Sequence, residues 1–332
     1  MPMRWRPMKP NDVGACADII AAHPVIGPRY GSTVKDLRHC WLRLLGSAAM
    51  TTAVFEEVEK GRATLAGVGV GVFVRDEFIR ELKSPPQFWF GPELAKRALR
   101  ADSPVLSDRE VREANSREGL NELVWETLPH PRFAERSEIF HLMGHAYIQI
   151  HRGFRLKEMI TSQAESPQRL QWAIDAGGLC WDPKAGRYVK SINKGKEKFA
   201  RSPHIVGITR ELELGRPGSW VGSLFDYQLP RFHFSAGEQG LLNCIISDAT
   251  RTNPALAKTL GVSLPTVKKM WLSIYERVSE NAPELIASNA AIGAKNKRGK
   301  EKRRRLLAYL QEHPEELRPV LRPAAGQKPP AA

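Results

Sequence analysis

The sequence has little cysteine, no long apolar run and none of the short signatures of common metal or nucleotide sites. Its 332 residues hold four cysteines, at positions 16, 40, 180 and 244, and no C-x-x-C pair. Cysteines spaced so widely argue against a disulfide framework and a cysteine zinc site, and for a reducing compartment. No uninterrupted apolar stretch approaches the roughly 20 residues that span a bilayer, so no membrane partner is expected. The opening segment MPMRWRPMKPNDVG is basic but has no apolar centre, and it does not read as a secretory signal. These absences together predict a cytoplasmic protein.

Further absences narrow the chemistry. Gly67, Gly69 and Gly71 form a G-x-G-x-G pattern, but it lies within a strand-like run whose other face is Val68, Val70, Val72 and Val74. A dinucleotide fingerprint opens a helix, so this pattern is not one. It reads as a bare strand face for close helix packing, with close approach of a ligand to the backbone as the alternative. His141 and His145 stand four apart and His151 follows, yet H-E-x-x-H is missing and zinc takes three or four ligands. Packed or solvated histidines are expected there. No Ser/His/Asp or Cys/His arrangement follows from spacing. Catalytic residues, cofactor and metal are therefore all assigned as none.

What the chain does have is positive charge, unevenly placed. The formal net charge is +14. Residues 231–332 carry 17 Lys and Arg against 9 Asp and Glu, and residues 295–305 alone hold eight basic residues and one acid. Most of the second region's excess thus sits in one short run, which suits attraction to phosphates.

The first region reads as mixed helix and strand. Asn11 or Asp12 can cap a helix with Val13, Cys16, Ile19 and Ile20 on its apolar face, and a second helix spans about 33–46. Two strands at 50–58 and 64–75 are split by the turn Glu59-Lys60-Gly61-Arg62. A strand at 118–128 and a helix at 135–150 follow. Between 166 and 233 the pattern gives a short helix through Trp172, then strand, turn and strand around Trp181–Tyr188. The loop KSINKGKEKFARSPH comes next, then a segment at 205–215 that suits either strand or helix. Trp220, Phe225, Tyr227, Arg231 and Phe232 read as core rather than as a base-stacking platform. Two helices before a strand hairpin, with the start Arg4-x-Arg6-Pro7-x-x-x-x-Asp12, resemble the front half of GNAT acetyltransferases. That family's acetyl-CoA loop, (Arg/Gln)-x-x-Gly-x-(Gly/Ala) opening a helix, is not found. The expectation is therefore a degenerate fold used for sensing or assembly, not an enzyme, with a PAS-like sensor as the rival fold.

Residues 253–278, NPALAKTLGVSLPTVKKMWLSIYERV, read as two helices joined by a tight turn. Asn253 is the expected cap and Pro254 suits the first turn; Gly261 ends the first helix and Ser263 caps the second. Val267, Trp271, Ile274 and Val278 mark the buried face of the second helix. The run Phe234–Val278 resembles the DNA-binding domain of LuxR-type transcriptional regulators. Phe234-Ser235-x-x-Glu238-x-x-Leu241-Leu242 resembles its first helix, and Ala255-x-x-x-x-Leu260-Gly261-Val262-Ser263 its scaffold helix and turn. Thr266-Val267-Lys268 with Ile274-Tyr275 resembles its recognition helix. Gly237, Met270 and Trp271 depart from the usual Arg, His and aliphatic residue. The resemblance implies that Lys268 and Lys269 meet bases and Thr266 meets backbone, with Ser273 on the same exposed face. Beyond it, Lys302, Arg303, Arg304 and Arg305 are placed to neutralise flanking phosphates. Leu306, Leu307 and Leu310 give that tail an amphipathic helix.

The sequence thus predicts an α+β N-terminal domain, GNAT-like or PAS-like, over residues 1–230. An all-α helix-turn-helix domain follows at 231–285, then a basic helix and tail at 286–332. The expected function is that of a sequence-specific regulator binding double-stranded DNA as a homodimer, with a small-molecule or protein signal as a further partner. The alternatives are a GNAT-like acetyltransferase with an appended DNA-binding module and a protein-binding adaptor.

Overall fold

The computed structural model describes residues 2–163, 167–190, 204–216, 220–286 and 295–321. The chain divides into two compact units, Met1–Tyr227 and Gln228–Ala332.

The first unit is built on one eight-stranded sheet in the order β1-β2-β3-β4-β5-β8-β6-β7. Its strands are β1 (Met3–Arg6), β2 (Met50–Glu59), β3 (Arg62–Val74), β4 (Leu120–Pro129), β5 (Leu156–Gln163), β6 (Leu179–Asp182), β7 (Arg187–Val189) and β8 (His204–Thr209). Strands β1 to β4 are antiparallel, and β5 then runs parallel to β4. The β2–β3 hairpin turns on Lys60 and Gly61, both at positive φ, which matches the right-handed twist of the strands.

Helices cover both faces. α1 (Val13–Ala22), α2 (Gly27–Tyr30), α3 (Val34–Leu44), α4 (Asp76–Lys83), α5 (Phe90–Arg97) and α6 (Asp108–Ser116) precede β4. α7 (Ser137–His151) joins β4 to β5, while α8 (Pro167–Asp175) and α9 (Arg210–Leu214) lie further on. Val68, Val70 and Val72 enter the large core with α1, α3 and α5, which contains the fully buried Trp41. The opposite face packs Ala53, Phe55 and Ala66 against Ile139, Met143 and Ala146 of α7. A Cβ on Gly67 would come within 2.7 Å of the Met143 methyl carbon, so the glycine face of β3 admits α7 closely. Asp12 stands at the N-cap of α1, but its carboxylate accepts from Arg6 (2.6 Å) and from the Lys9 N–H (2.7 Å) instead of capping.

The sequence reading gave no element between 76 and 116, where α4, α5 and α6 each run for only eight or nine residues. Helices that short show barely two repeats of their apolar period. α6 is nonetheless held by a local device. Ser107 Oγ accepts from the Glu110 N–H, and Glu110 accepts in return from the Ser107 N–H (2.8 Å). Burial acts to raise the Glu110 carboxyl, but Ser107 and Arg75 outweigh it and hold the group at about 2 rather than the usual 4.5. Its contribution to stability is therefore present above about pH 4.5 and fades as pH falls towards 2. Ser107→Ala is expected to cost about 1 kcal/mol at neutral pH, with the deficit shrinking in that acid window; denaturant titrations at several pH values check this.

The second unit is all helix among the described residues: α10 (Ala236–Ser247), α11 (Asn253–Leu260), α12 (Leu264–Asn281), α13 (Pro283–Ile286) and α14 (Lys295–Glu312). Ser235 and Glu238 form a capping box at α10. The cap of α11 is Thr252 rather than the expected Asn253: its hydroxyl accepts from the Ala255 N–H, and Pro254 lies at the second helical position. Gly261 takes the left-handed conformation (φ +63°) that ends α11, and the Ser263 side chain accepts from the Thr266 N–H to start α12. Leu306 and Leu310 of α14 are buried in one core with Leu241, Leu256, Val267 and Trp271. Among the described residues no helix is long and apolar enough to cross a membrane.

Candidate functional site

In the first unit the register of the sheet shifts between Phe55 and Glu56 in the β2–β3 ladder and again along β4. That strand pairs with β3 from Asn121 to Pro129, but its registered pairs with β5 end at Leu123–Ile160. The register against β3 slips between Val70 and Gly71, which leaves Trp125 as the extra residue of a β-bulge. Trp125 and Glu126 consequently both reach Tyr30 of α2. The Tyr30 hydroxyl donates to Glu126 Oε1 (2.7 Å), and Trp125 Nε1 donates to the Tyr30 oxygen and the Gly91 carbonyl, each at 3.2 Å. Burial, then the Glu126 charge, pushes the Tyr30 phenol well above its usual 10, so it remains a proton donor at neutral pH. Half-buried Glu126 and exposed Thr127 mark the part of β4 beyond its pairing with β5.

The segment that follows β4 has few free backbone donors. The N–H groups of His130, Arg132, Phe133, Ala134 and Arg136 all bond within the unit, to Ala66 O, His130 Nδ1, His130 O, Pro131 O and Phe133 O. Pro129 and Pro131 have no N–H. The N-terminus of α7, which follows at Ser137, has no side-chain cap. Arg136 is tied to Glu57 (2.6 Å), and Arg132 is exposed beside it.

In the second unit Lys268 and Lys269 are exposed on the first turns of α12. Thr266 is half-buried, with its hydroxyl 2.8 Å from that of Ser263. Ser273 does not share the exposed face as expected. It lies half-buried and hydrogen bonds to Glu238 of α10, helping, against burial, to hold that carboxyl below its usual value. The position is close enough to the α12 seam for a short side chain to turn inward.

The basic run of the tail is also less uniform than its sequence. Arg303 lays its guanidinium 4.3 Å over the Trp271 ring and reaches Asn253 Oδ1 (3.5 Å), so it is a packing group between α14, α12 and α11. Arg304 and Arg305 both bond to Glu301, at 2.8 and 3.2 Å. Lys302 is half-buried and Arg304 is the exposed member of the four.

His141 and His145 are exposed, His151 is buried, and no group of three His, Cys, Asp or Glu among the described residues could hold a metal. Tyr30, Trp125 and Glu126 escaped the sequence reading. The one local signal was the apolar run Leu123-Val124-Trp125, which breaks the alternation of β4 where the bulge falls.

No family model matches the chain, and no curated protein does. Solved structures do match. One is a spermidine N-acetyltransferase SpeG chimera from Vibrio cholerae and hSSAT: 10% identity, 65% of this chain, 100% of that chain, TM-score 0.37. A second is an aminoglycoside acetyltransferase, AAC(6')-Ib, in complex with coenzyme A: 10% identity, 65% and 99% coverage, TM-score 0.32. A third is a GNAT-family acetyltransferase from Streptococcus pneumoniae: 10% identity, 63% and 99% coverage, TM-score 0.32. The expectation that this is not an enzyme is corrected here: the solved structures that match carry the names of acetyltransferases. Their substrates and catalytic residues do not transfer at this identity.

Proposed function

We propose that this chain is a GNAT-like acetyltransferase carrying an appended module for double-stranded DNA. The observation that carries the enzymatic half is the limited pairing of β4 with β5. Past Leu123 the β4 edge has no registered partner on the β5 side among the described residues, and an amide-bearing arm such as that of an acyl-thioester can add to such an edge. Glu126 and Tyr30 supply a carboxylate and a protonated phenol at the same stretch, a pairing suited to accepting and returning a proton during acyl transfer. Exposed Arg132, together with the first backbone N–H groups of α7, whose N-terminus has no side-chain cap, would hold the diphosphate.

The test is calorimetric titration of the full chain with acetyl-CoA, followed by thiol release in the presence of a panel of primary amines. Binding and amine-dependent release are expected. Glu126→Gln should then lower kcat by about 100-fold or more with a much smaller change in KM. No binding of any acyl-CoA would sink the enzymatic half.

The DNA-binding half is supported by the LuxR-type pattern of residues 234–278 and by the exposure of Lys268 and Lys269 on α12. Lys268→Ala or Lys269→Ala is expected to cost about 1–3 kcal/mol on a selected site if that lysine meets a guanine edge, and far less on scrambled duplex. Equal losses on both duplexes would reduce the residue to a phosphate contact. Thr266 and exposed Arg304 remain as backbone contacts in this reading, whereas Ser273 and Arg303 are occupied within the unit.

A further inference from the structure

The bulge in β4 sends Trp125 towards α2 and α5, on the same side of the sheet as Glu126. Trp125 is buried and meets Trp41 edge to face at 6.2 Å, which fixes the direction of its indole. An indole N–H only donates, and this one is shared between the Tyr30 oxygen and the Gly91 carbonyl, each at 3.2 Å. Tyr30 therefore offers Trp125 a lone pair. Its single hydrogen is left for Glu126 Oε1, at 2.7 Å. The indole thus decides which way the phenol points, and burial with the Glu126 charge keeps the phenol protonated at neutral pH.

Gly91, the second residue of α5, makes this approach possible. A Cβ there would lie 2.0 Å from the Tyr30 hydroxyl and 2.5 Å from Glu126 Oε1, so a side chain would push the two apart. The backbone itself would accept alanine, because Gly91 is not among the glycines at positive φ. Arg29, next to Tyr30, lays its guanidinium 4.2 Å over the ring of Trp89 and ties the end of α2 to the start of α5.

We propose that Trp125 and Gly91 are positioning residues for acyl transfer, together holding the Tyr30 hydroxyl with its hydrogen on Glu126 Oε1. The inference rests on the reading of Glu126 and Tyr30 as the groups that accept and return the proton. In that reaction the amine nitrogen bonds the acyl carbon as the C–S bond breaks. Glu126 takes the proton that the nitrogen sheds, and the Tyr30 hydrogen goes to the departing thiolate. The 2.7 Å bond then lets Glu126 hand its proton to Tyr30, which restores both groups. A phenol turned away from Glu126 would lose that return path.

Thiol release by the full chain, with acetyl-CoA and an amine from the panel, tests this in Trp125→Phe and Gly91→Ala, each alone and combined with Tyr30→Phe. Trp125→Phe keeps an aromatic ring against Trp41 and removes the N–H. Each single variant is expected to lower kcat about 10- to 100-fold while KM for acetyl-CoA changes less than about threefold. In the Tyr30→Phe background neither should lower kcat by more than about a further twofold, because both act through that hydroxyl. Unchanged kcat in Trp125→Phe, with Glu126→Gln impaired, overturns the proposal and leaves the reading of the site standing. A loss that persists undiminished in the Tyr30→Phe background also overturns it, since that marks a packing role. Should Trp125→Phe fail to fold, Gly91→Ala decides by the same two outcomes. No thiol release, or release indifferent to Glu126→Gln, ends the reading of the site and this inference with it.

Discussion

Trp271→Ala is expected to destabilise the second unit by about 3–5 kcal/mol, the range for deleting a buried aromatic. Trp271 is 6% exposed, stacks on Tyr275 (5.6 Å between centroids) and carries the Arg303 guanidinium at 4.3 Å. It therefore fastens α14 to α12. An aliphatic residue at this position would fill the core but offer the arginine no ring face. Trp271→Leu should accordingly cost less than Trp271→Ala and still lose the contact with Arg303. In a double-mutant cycle, Trp271 and Arg303 should couple by about 0.5–2 kcal/mol, the span for a partly desolvated cation on an aromatic face. Denaturant unfolding of the full chain followed by helical circular dichroism gives both numbers. A loss below about 1 kcal/mol for Trp271→Ala would show that the site collapses without penalty and that α14 is held by Leu306 and Leu310 instead.

His151→Leu is expected to cost the first unit about 3–5 kcal/mol, because it removes one member of a buried pair and leaves Glu122 uncompensated. Replacing both, as Glu122→Leu with His151→Leu, should recover a large part of that loss, since two apolar groups of similar volume leave nothing unpaired. The Thr51 hydroxyl would lose its acceptor in the double variant, so recovery should be incomplete. Urea midpoints of the two single variants and the double variant decide the matter. If His151→Leu were nearly neutral, Glu122 would have to be stabilised chiefly by other groups, and its pairing with His151 would be incidental. The experiment reads stability alone.

The sequence by itself determined the elements that have a strong period or a clear terminus. α1, α3, the β2–β3 hairpin and α7 fall close to where apolar spacing and the Lys60–Gly61 turn put them. The buried seam of α12 is the one its 3.6-residue period marks, Val267, Trp271, Ile274 and Val278, with Gly261 and Ser263 bounding the turn before it. Such features are local: a few neighbouring residues fix the backbone, and one face is apolar wherever the element docks.

What only the tertiary structure decided is which groups those faces bring together. Tyr30 and Glu126 are 96 residues apart, and they meet because a bulge in β4 turns two consecutive side chains the same way. Glu122 meets His151 only because a strand lies under the end of a helix. Arg303 reads in sequence as one of four equivalent tail cations, and Ser273 as an exposed hydroxyl. Folding gives Arg303 a ring to cover and Ser273 a carboxylate to bond. The limited pairing of β4 with β5 has no local signature either, since it depends on how far two strands distant in sequence stay in register. Periodicity records that a face will be buried but not what it will be buried against, because the partner comes from another part of the chain and is selected by packing of the whole unit.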